Sequence, residues 1–138
     1  MKPYESIDHT ADLGLRIYGS DPRDLFSHAG EAFTDLVSDT KKIEPAVRKN
    51  IEIRGDSLED LLIGFLKELL YLFDTEKLLF SKFTIKNLSD NLIQVEAHGE
   101  ALDLEKHPFK TEIKAVTYHQ FRIEEWKEGL RATIIFDV

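Results

Sequence analysis

Ser57-Leu58-Glu59-Asp60-Leu61-Leu62-Ile63-Gly64-Phe65-Leu66-Lys67-Glu68-Leu69-Leu70-Tyr71-Leu72-Phe73 is the stretch on which the fold turns. Ser57 with Asp60 three residues later has the form of a capping box, so a helix begins here. Its apolar positions, Leu58, Leu61, Leu62, Ile63, Phe65, Leu66, Leu69, Leu70, Leu72 and Phe73, cover most of the circumference and not a single stripe. Such a helix is packed on more than one side, and it is expected to be the central core element.

On its N-terminal side, Leu13, Leu15 and Ile17 alternate with Gly14, Arg16 and Tyr18, the period-2 signature of a half-buried strand. Gly19-Ser20-Asp21-Pro22 breaks that strand, and Ser20 or Asp21 caps the next element. Pro22 at an early helical position, then Leu25, Phe26, Ala29, Phe33, Leu36 and Val37, describes an amphipathic helix to about Ser38 that lies on a sheet. Val47, Ile51 and Ile53 mark a second strand region ending at Gly55. On the C-terminal side the pattern becomes strand-like over 79–85, 92–102, 112–121 and 131–138, with Ser89-Asp90-Asn91 and Lys127-Glu128-Gly129 as turns. The order predicts an α+β fold, two helices packed on mixed or mainly antiparallel sheet. No repeat, low-complexity tract or linker interrupts the chain, which is read as one domain over 1–138.

Composition narrows the function classes. Asp and Glu total 26 against 18 Lys and Arg in 138 residues, a formal charge of −8, which repels a phosphate backbone and argues against direct nucleic-acid binding. There is no cysteine, so thiolate zinc sites, iron–sulfur clusters and thiol nucleophiles are excluded. Met1-Lys2-Pro3-Tyr4-Glu5 leads into polar sequence with no signal-peptide core, and no apolar run is long enough for a membrane span. The expectation is a soluble, acidic, cytoplasmic domain.

Two carboxylates stand out. In His9-Thr10-Ala11-Asp12-Leu13-Gly14 an imidazole and an acid sit three residues apart before a strand; the competing reading is an Asx turn in which Asp12 binds local N–H groups and His9 is its partner. In Ala132-Thr133-Ile134-Ile135-Phe136-Asp137-Val138, Asp137 interrupts a strongly β-forming run, on the face opposite Ala132, Ile134 and Phe136. If the first and last strands are neighbours, Asp12 and Asp137 converge, and two carboxylates without a thiolate suit a hard ion such as Ca²⁺, Mg²⁺ or Mn²⁺ better than zinc. Asp74 and Glu76 fall at the end of the apolar helix, where the dipole disfavours acids, which points either to a cation or basic partner nearby or to a helix end that is simply solvated. Asp103-Leu104-Glu105-Lys106-His107-Pro108 reads as an exposed loop. Lys114, Val116 and Tyr118 share one strand face and Ala115, Thr117 and His119 the other, with Lys114 snorkelling from a half-buried strand. No phosphate loop, nucleophile elbow or zinc-protease motif occurs.

Taken together, His9–Gly14, Gly55-Asp56, the run from Leu69 to Glu76, Gly99-Glu100, Lys106-His107, the run from Lys114 to His119, and Phe136-Asp137-Val138 resemble the archease family. The resemblance covers nearly the whole chain. It implies a non-enzymatic protein cofactor of the GTP-dependent RNA ligase of tRNA splicing and RNA repair. Such a cofactor promotes ligase guanylylation and multiple turnover, and the ligase joins a 2′,3′-cyclic-phosphate or 3′-phosphate end to a 5′-hydroxyl. By the same resemblance, Asp12, Asp137 and Val138 hold a divalent metal ion, Ca²⁺ foremost with Mg²⁺ or Mn²⁺ as alternatives. Lys106, with His9, Asp74 and Lys114, would serve activation of the partner. An acidic chain suits contact with a basic, RNA-binding enzyme. The alternatives are a small metal-dependent hydrolase using Asp12, Asp137 and His9, or a chaperone-like binding module.

Overall fold

The computed structural model describes residues 2–8 and 12–138. Among these the elements run β1 (Tyr4–Asp8), β2 (Leu13–Gly19), α1 (Pro22–Val37), a 3-10 turn (Thr40–Lys42), β3 (Val47–Arg54), α2 (Leu58–Glu76), β4 (Leu78–Leu88), β5 (Leu92–Ala101), β6 (Ala115–Trp126) and β7 (Gly129–Asp137). The strands form two sheets, ordered β1-β2-β7-β6 and β3-β5-β4, and every pairing is antiparallel. The fold is α+β as the sequence predicts, with the strand set divided in two.

Both helices start where their caps require. Asp21 Oδ1 accepts the Asp24 N–H at 2.8 Å with Pro22 in the first turn, and Ser57 Oγ accepts the Asp60 N–H at 3.1 Å. The Asp60 carboxylate in turn takes the Asp56 N–H at 3.2 Å, one residue before the cap. At the other end of α2, Lys77 closes the helix in the left-handed region, φ 57°, and its N–H returns to Phe73 O.

The apolar girdle of α2 has the predicted consequence. α2 packs on β6 of the first sheet and on β3 and β4 of the second, while α1 packs on β2 and β4, so the helices fill the space between the sheets. Leu61, Leu62, Ile63, Phe65 and Leu66 are fully buried, in one cluster with Leu15, Ile17, Ile134 and Phe136 from one side and Ile93, Val95 and Ala97 from the other. Gly99 permits the close approach of β4 at its bulge between Phe80 and Lys82: a Cβ there would lie 1.8 Å from the Leu79 carbonyl oxygen.

Four features depart from the sequence reading. Tyr4–Asp8, read only as polar lead, forms edge strand β1, paired from Tyr4↔Ile17 to Asp8↔Leu13. The strand expected from Glu112 begins at Ala115, because Ile113 is buried in the core from a loop whose Lys110 N–H is held by Val37 O at 2.8 Å. The expected alternation of Lys114, Val116 and Tyr118 fails for the same reason, with Lys114 before the strand and a bulge after Thr117 where Gln120 takes φ 54°. His107, read as part of an exposed loop, is 2 % exposed.

Candidate functional site

β2, the strand that Asp12 precedes, and β7, the last strand of the chain, are neighbours, and this decides the site. β2 and β7 pair from Gly19↔Leu130 to Leu13↔Phe136, so Asp12 and Asp137 are the next residues outward on adjacent strands, at the same end of the sheet. Asp12 is half-buried and Asp137 exposed. Phe136, fully buried on the inner face, anchors the end of β7, and alternation turns Asp137 to the outer face with Ile135 and Thr133. The Asp137 main chain is fixed on its other flank, where its carbonyl accepts the Lys114 N–H at 2.8 Å and Ala115 pairs with it. Val138 comes next, 39 % exposed.

Lys114 is thus brought beside Asp137 by the backbone. Its side chain lines a groove with Lys67, Leu70, Tyr71 and Asp74 of α2 and with Ala115 and Val116 of β6, so Asp74 and Lys114 share one concavity. Asp74 also borders a second hollow with Phe73, Lys77, Leu104 and Phe109. The cations expected at the acidic end of α2 are therefore the chain's own: Lys77 and Lys114 in these grooves, and Lys49, whose Nζ lies 3.3 Å from Glu76. Tyr71 and Tyr118, exposed by 59 % and 56 %, flank Lys67, whose Nζ sits 5.0 Å from the Tyr118 ring centre. His119 falls in the bulged segment of β6.

Lys106 belongs to a different cluster. Its Nζ is 2.7 Å from Glu100 Oε1 and 3.5 Å from Glu44, and Glu100 Oε2 also accepts the Glu44 N–H at 2.5 Å. His107 closes the cluster from inside: its Nδ1 accepts the Asp103 N–H at 2.9 Å, which places the ring proton on Nε2, 3.2 Å from Glu100 Oε2. The Lys106 hydrogen bond, reinforced by the Glu44 N–H, pulls the Glu100 carboxyl down to about 2, and Glu100 in turn holds the Lys106 ammonium above its ordinary value. The strand pattern of 92–102 puts Glu100 on a solvent face but gives no sign that the loop after it returns to it.

His9 lies outside the described residues. Among those described, no three His, Asp or Glu side chains gather around a common point. Asp12 and Asp137 offer carboxylate oxygen and Val138 main-chain oxygen, the donor chemistry of a hard divalent cation. No helix among the described residues is long and apolar enough to cross a membrane.

Residues 4–138 match the model of the archease protein family. Protein archease of Methanosarcina barkeri is 38% identical over 141 residues, covering 99% of this chain and 97% of that protein. Protein archease of Pyrococcus furiosus is 41% identical over 132 residues, covering 94% of this chain and 93% of that protein. The solution structure of Methanobacterium thermoautotrophicum protein 1598 superimposes with a TM-score of 0.85 at 37% identity, covering 100% of both chains. The crystal structure of an archease, possible chaperone, from Thermotoga maritima gives a TM-score of 0.66 at 21% identity, covering 97% of this chain and 96% of that one, and shares the fold.

Proposed function

Because the chain belongs to the archease protein family, we propose that it is a non-enzymatic activator of a GTP-dependent RNA ligase, promoting guanylylation and repeated turnover in tRNA splicing and RNA repair. The observation that carries this reading is the β2–β7 pairing, which sets Asp12 beside Asp137 at one end of a sheet, with Lys114 bonded to the Asp137 main chain and Asp74 sharing a groove with Lys114. Asp12, Asp137 and the main-chain oxygen of Val138 would hold a divalent cation, with Ca²⁺ first and Mg²⁺ or Mn²⁺ as alternatives. Bound there, the ion would supply positive charge to phosphate oxygens at the partner's nucleotide-transfer site. The residues of this chain do the rest. Phe136 and the Lys114 N–H keep Asp137 in a fixed direction, and the exposed Tyr71 and Tyr118 with Lys67 and Lys114 offer a contact surface beside it. Lys106, 41% exposed while gripped by Glu100, would present its charge to the same partner. A net charge of −8 favours approach to a basic, RNA-binding enzyme over binding of RNA itself.

The test is a ligase guanylylation and turnover assay with and without the protein. Stimulation is expected, and the chain alone should neither join RNA nor hydrolyse GTP. GTP hydrolysis by the isolated chain, removed by Asp137→Ala, would replace this reading with the small-hydrolase one. Thermal melts with Ca²⁺, Mg²⁺, Mn²⁺ and chelator check the cation separately, since a ligand at a hundred times its Kd stabilises the native state by about 2.7 kcal/mol.

A further inference from the structure

The outer face of the β1-β2-β7-β6 sheet, away from the helices, carries a second constellation. Across its strands the register stacks Asp12 near Asp137, then Ile7, Gly14, Ile135 and Thr117, then Glu5, Arg16, Thr133 and Arg122, then Tyr18, Arg131 and Glu124. The third row places an arginine on each side of a threonine. Arg16 and Arg122 stand on β2 and β6 with β7 between them, a backbone separation of about 10 Å that two long side chains can close over Thr133. Thr133 is 8 % exposed, and its β7 neighbours Ala132 and Ile134 are fully buried on the opposite face.

The carboxylates near this row leave both arginines underused. Glu124 spends Oε1 on the Arg131 fork, at 2.9 Å from Nε and 2.5 Å from Nη2, and Arg131 also lies 3.9 Å over the Trp126 ring. Arg122, 64% exposed, approaches the remaining Glu124 oxygen only to 3.5 Å. Glu5 accepts the Tyr18 hydroxyl at 2.9 Å, and Arg16 comes no nearer to it than 4.0 Å. Arg16 Nε is buried and has no hydrogen-bond partner among the described residues. The unpaired Nε is a cost of the present arrangement, while the side chain as a whole is 41% exposed, so its terminal nitrogens are open to a better acceptor than Glu5.

We propose that Arg16, Thr133 and Arg122 form a binding site for a phosphate group. One carboxylate satisfies a single guanidinium fork, as Glu124 does for Arg131. A phosphate presents several terminal oxygens and up to two charges, enough to face two guanidiniums and accept the Thr133 hydroxyl. The row is four residues along β7 from Asp137, about 13 Å, so the site is distinct from the acidic end and does not depend on a metal there. The phosphate comes either as the free ion or as the tail of a nucleotide, and both present the same oxygens.

Amide spectra of the full chain, titrated at constant ionic strength in chelator with orthophosphate, ATP or acetate, test this. Orthophosphate or ATP should shift the amides of Arg16, Arg122 and Thr133 in a saturable way. Stronger binding of ATP assigns the site to a nucleotide tail, and equal binding assigns it to the free ion. Arg122→Gln, at an exposed position, should weaken binding at least tenfold with an unchanged melting temperature, and Arg16→Gln should act alike. Arg54→Gln, on the other sheet, should bind as the wild type does. No saturable shift at these amides, equal shifts from acetate, or Arg122→Gln binding like the wild type would each overturn the proposal.

Discussion

Glu100 and Asp137 are both carboxylates at the ends of strands, and the chain treats them in opposite ways. Glu100, next to last in β5, collects its partners from within: the Lys106 ammonium, the Glu44 N–H and the buried His107. Its side chain is 16% exposed, and each of its oxygens accepts a hydrogen bond from the protein itself. Asp137, last in β7, has its main chain fixed by Lys114 and its side chain exposed. A carboxylate saturated by its own chain locks a loop; one held in direction and open to solvent is available to a ligand. What separates a structural acid from a candidate functional one is the source of its donors, not its charge.

The largest effect expected from this contrast is functional. Asp137→Ala should abolish stimulation of the proposed ligase partner while leaving the melting temperature nearly unchanged, because the inner face of β7 is carried by Ala132, Ile134 and Phe136. Turnover assays and thermal melts on the same preparation measure both. Full stimulation by the variant would remove Asp137 from the site and break the contrast at its functional end. The next largest belongs to the core. Leu66→Ala, at a fully buried position between the two sheets, should cost about 2–5 kcal/mol in urea denaturation. A loss below roughly 1 kcal/mol would mean that α2 is not the central element.

Glu100 should come next and should show its effect through pH. Its carboxyl is held near about 2, well below the ordinary glutamate value, so the native state binds the proton less readily than the unfolded chain. The stability it contributes is complete above the unfolded value and is lost as pH falls from there toward 2. Glu100→Gln should therefore flatten the acid limb of the stability profile and cost about 1 kcal/mol at neutral pH, allowing for solvent screening. Denaturation between pH 2.5 and 6 reads this out. An unaltered acid limb would show that Glu100 is not the saturated carboxylate described.

How far the sequence reveals these features depends on how local their causes are. The two helices are legible because their caps lie within three residues of their starts and α2 wears apolar side chains on nearly every side. The placement of Asp12 near Asp137 needs one further step, that the apolar terminal strand pairs with the strand beginning at Leu13. β1 is not legible, because Glu5 and Ile7 face one way while Tyr4 and Ser6 face the other, so neither face is uniformly apolar and only pairing with β2 makes it a strand. The Lys106 cluster is hidden for another reason. His107 is buried by a loop that folds back between β5 and β6, a long-range contact that leaves no periodic trace. Ile113 behaves likewise, with strand-like sequence overridden by burial from a loop.

The smallest effect serves to calibrate the middle one. Lys49 and Glu76 approach to 3.3 Å, a looser pair than Lys106 and Glu100 at 2.7 Å; the lysines are similarly exposed, but Glu76 is 47% exposed against 16% for Glu100, and no buried histidine backs it. Water solvates both charges, salt screens their attraction, and fixing two long side chains offsets most of the gain. Lys49→Ala should therefore change stability by no more than about 0.5 kcal/mol, within the usual range for exposed pairs. Denaturation in low salt and again at about 1 M salt, where the Debye length shrinks to about 3 Å, should shrink even that difference. If Lys49→Ala instead costs as much as Glu100→Gln, enclosure by the loop is not what distinguishes Glu100. The contrast with Asp137 would then have to rest on hydrogen-bond count alone.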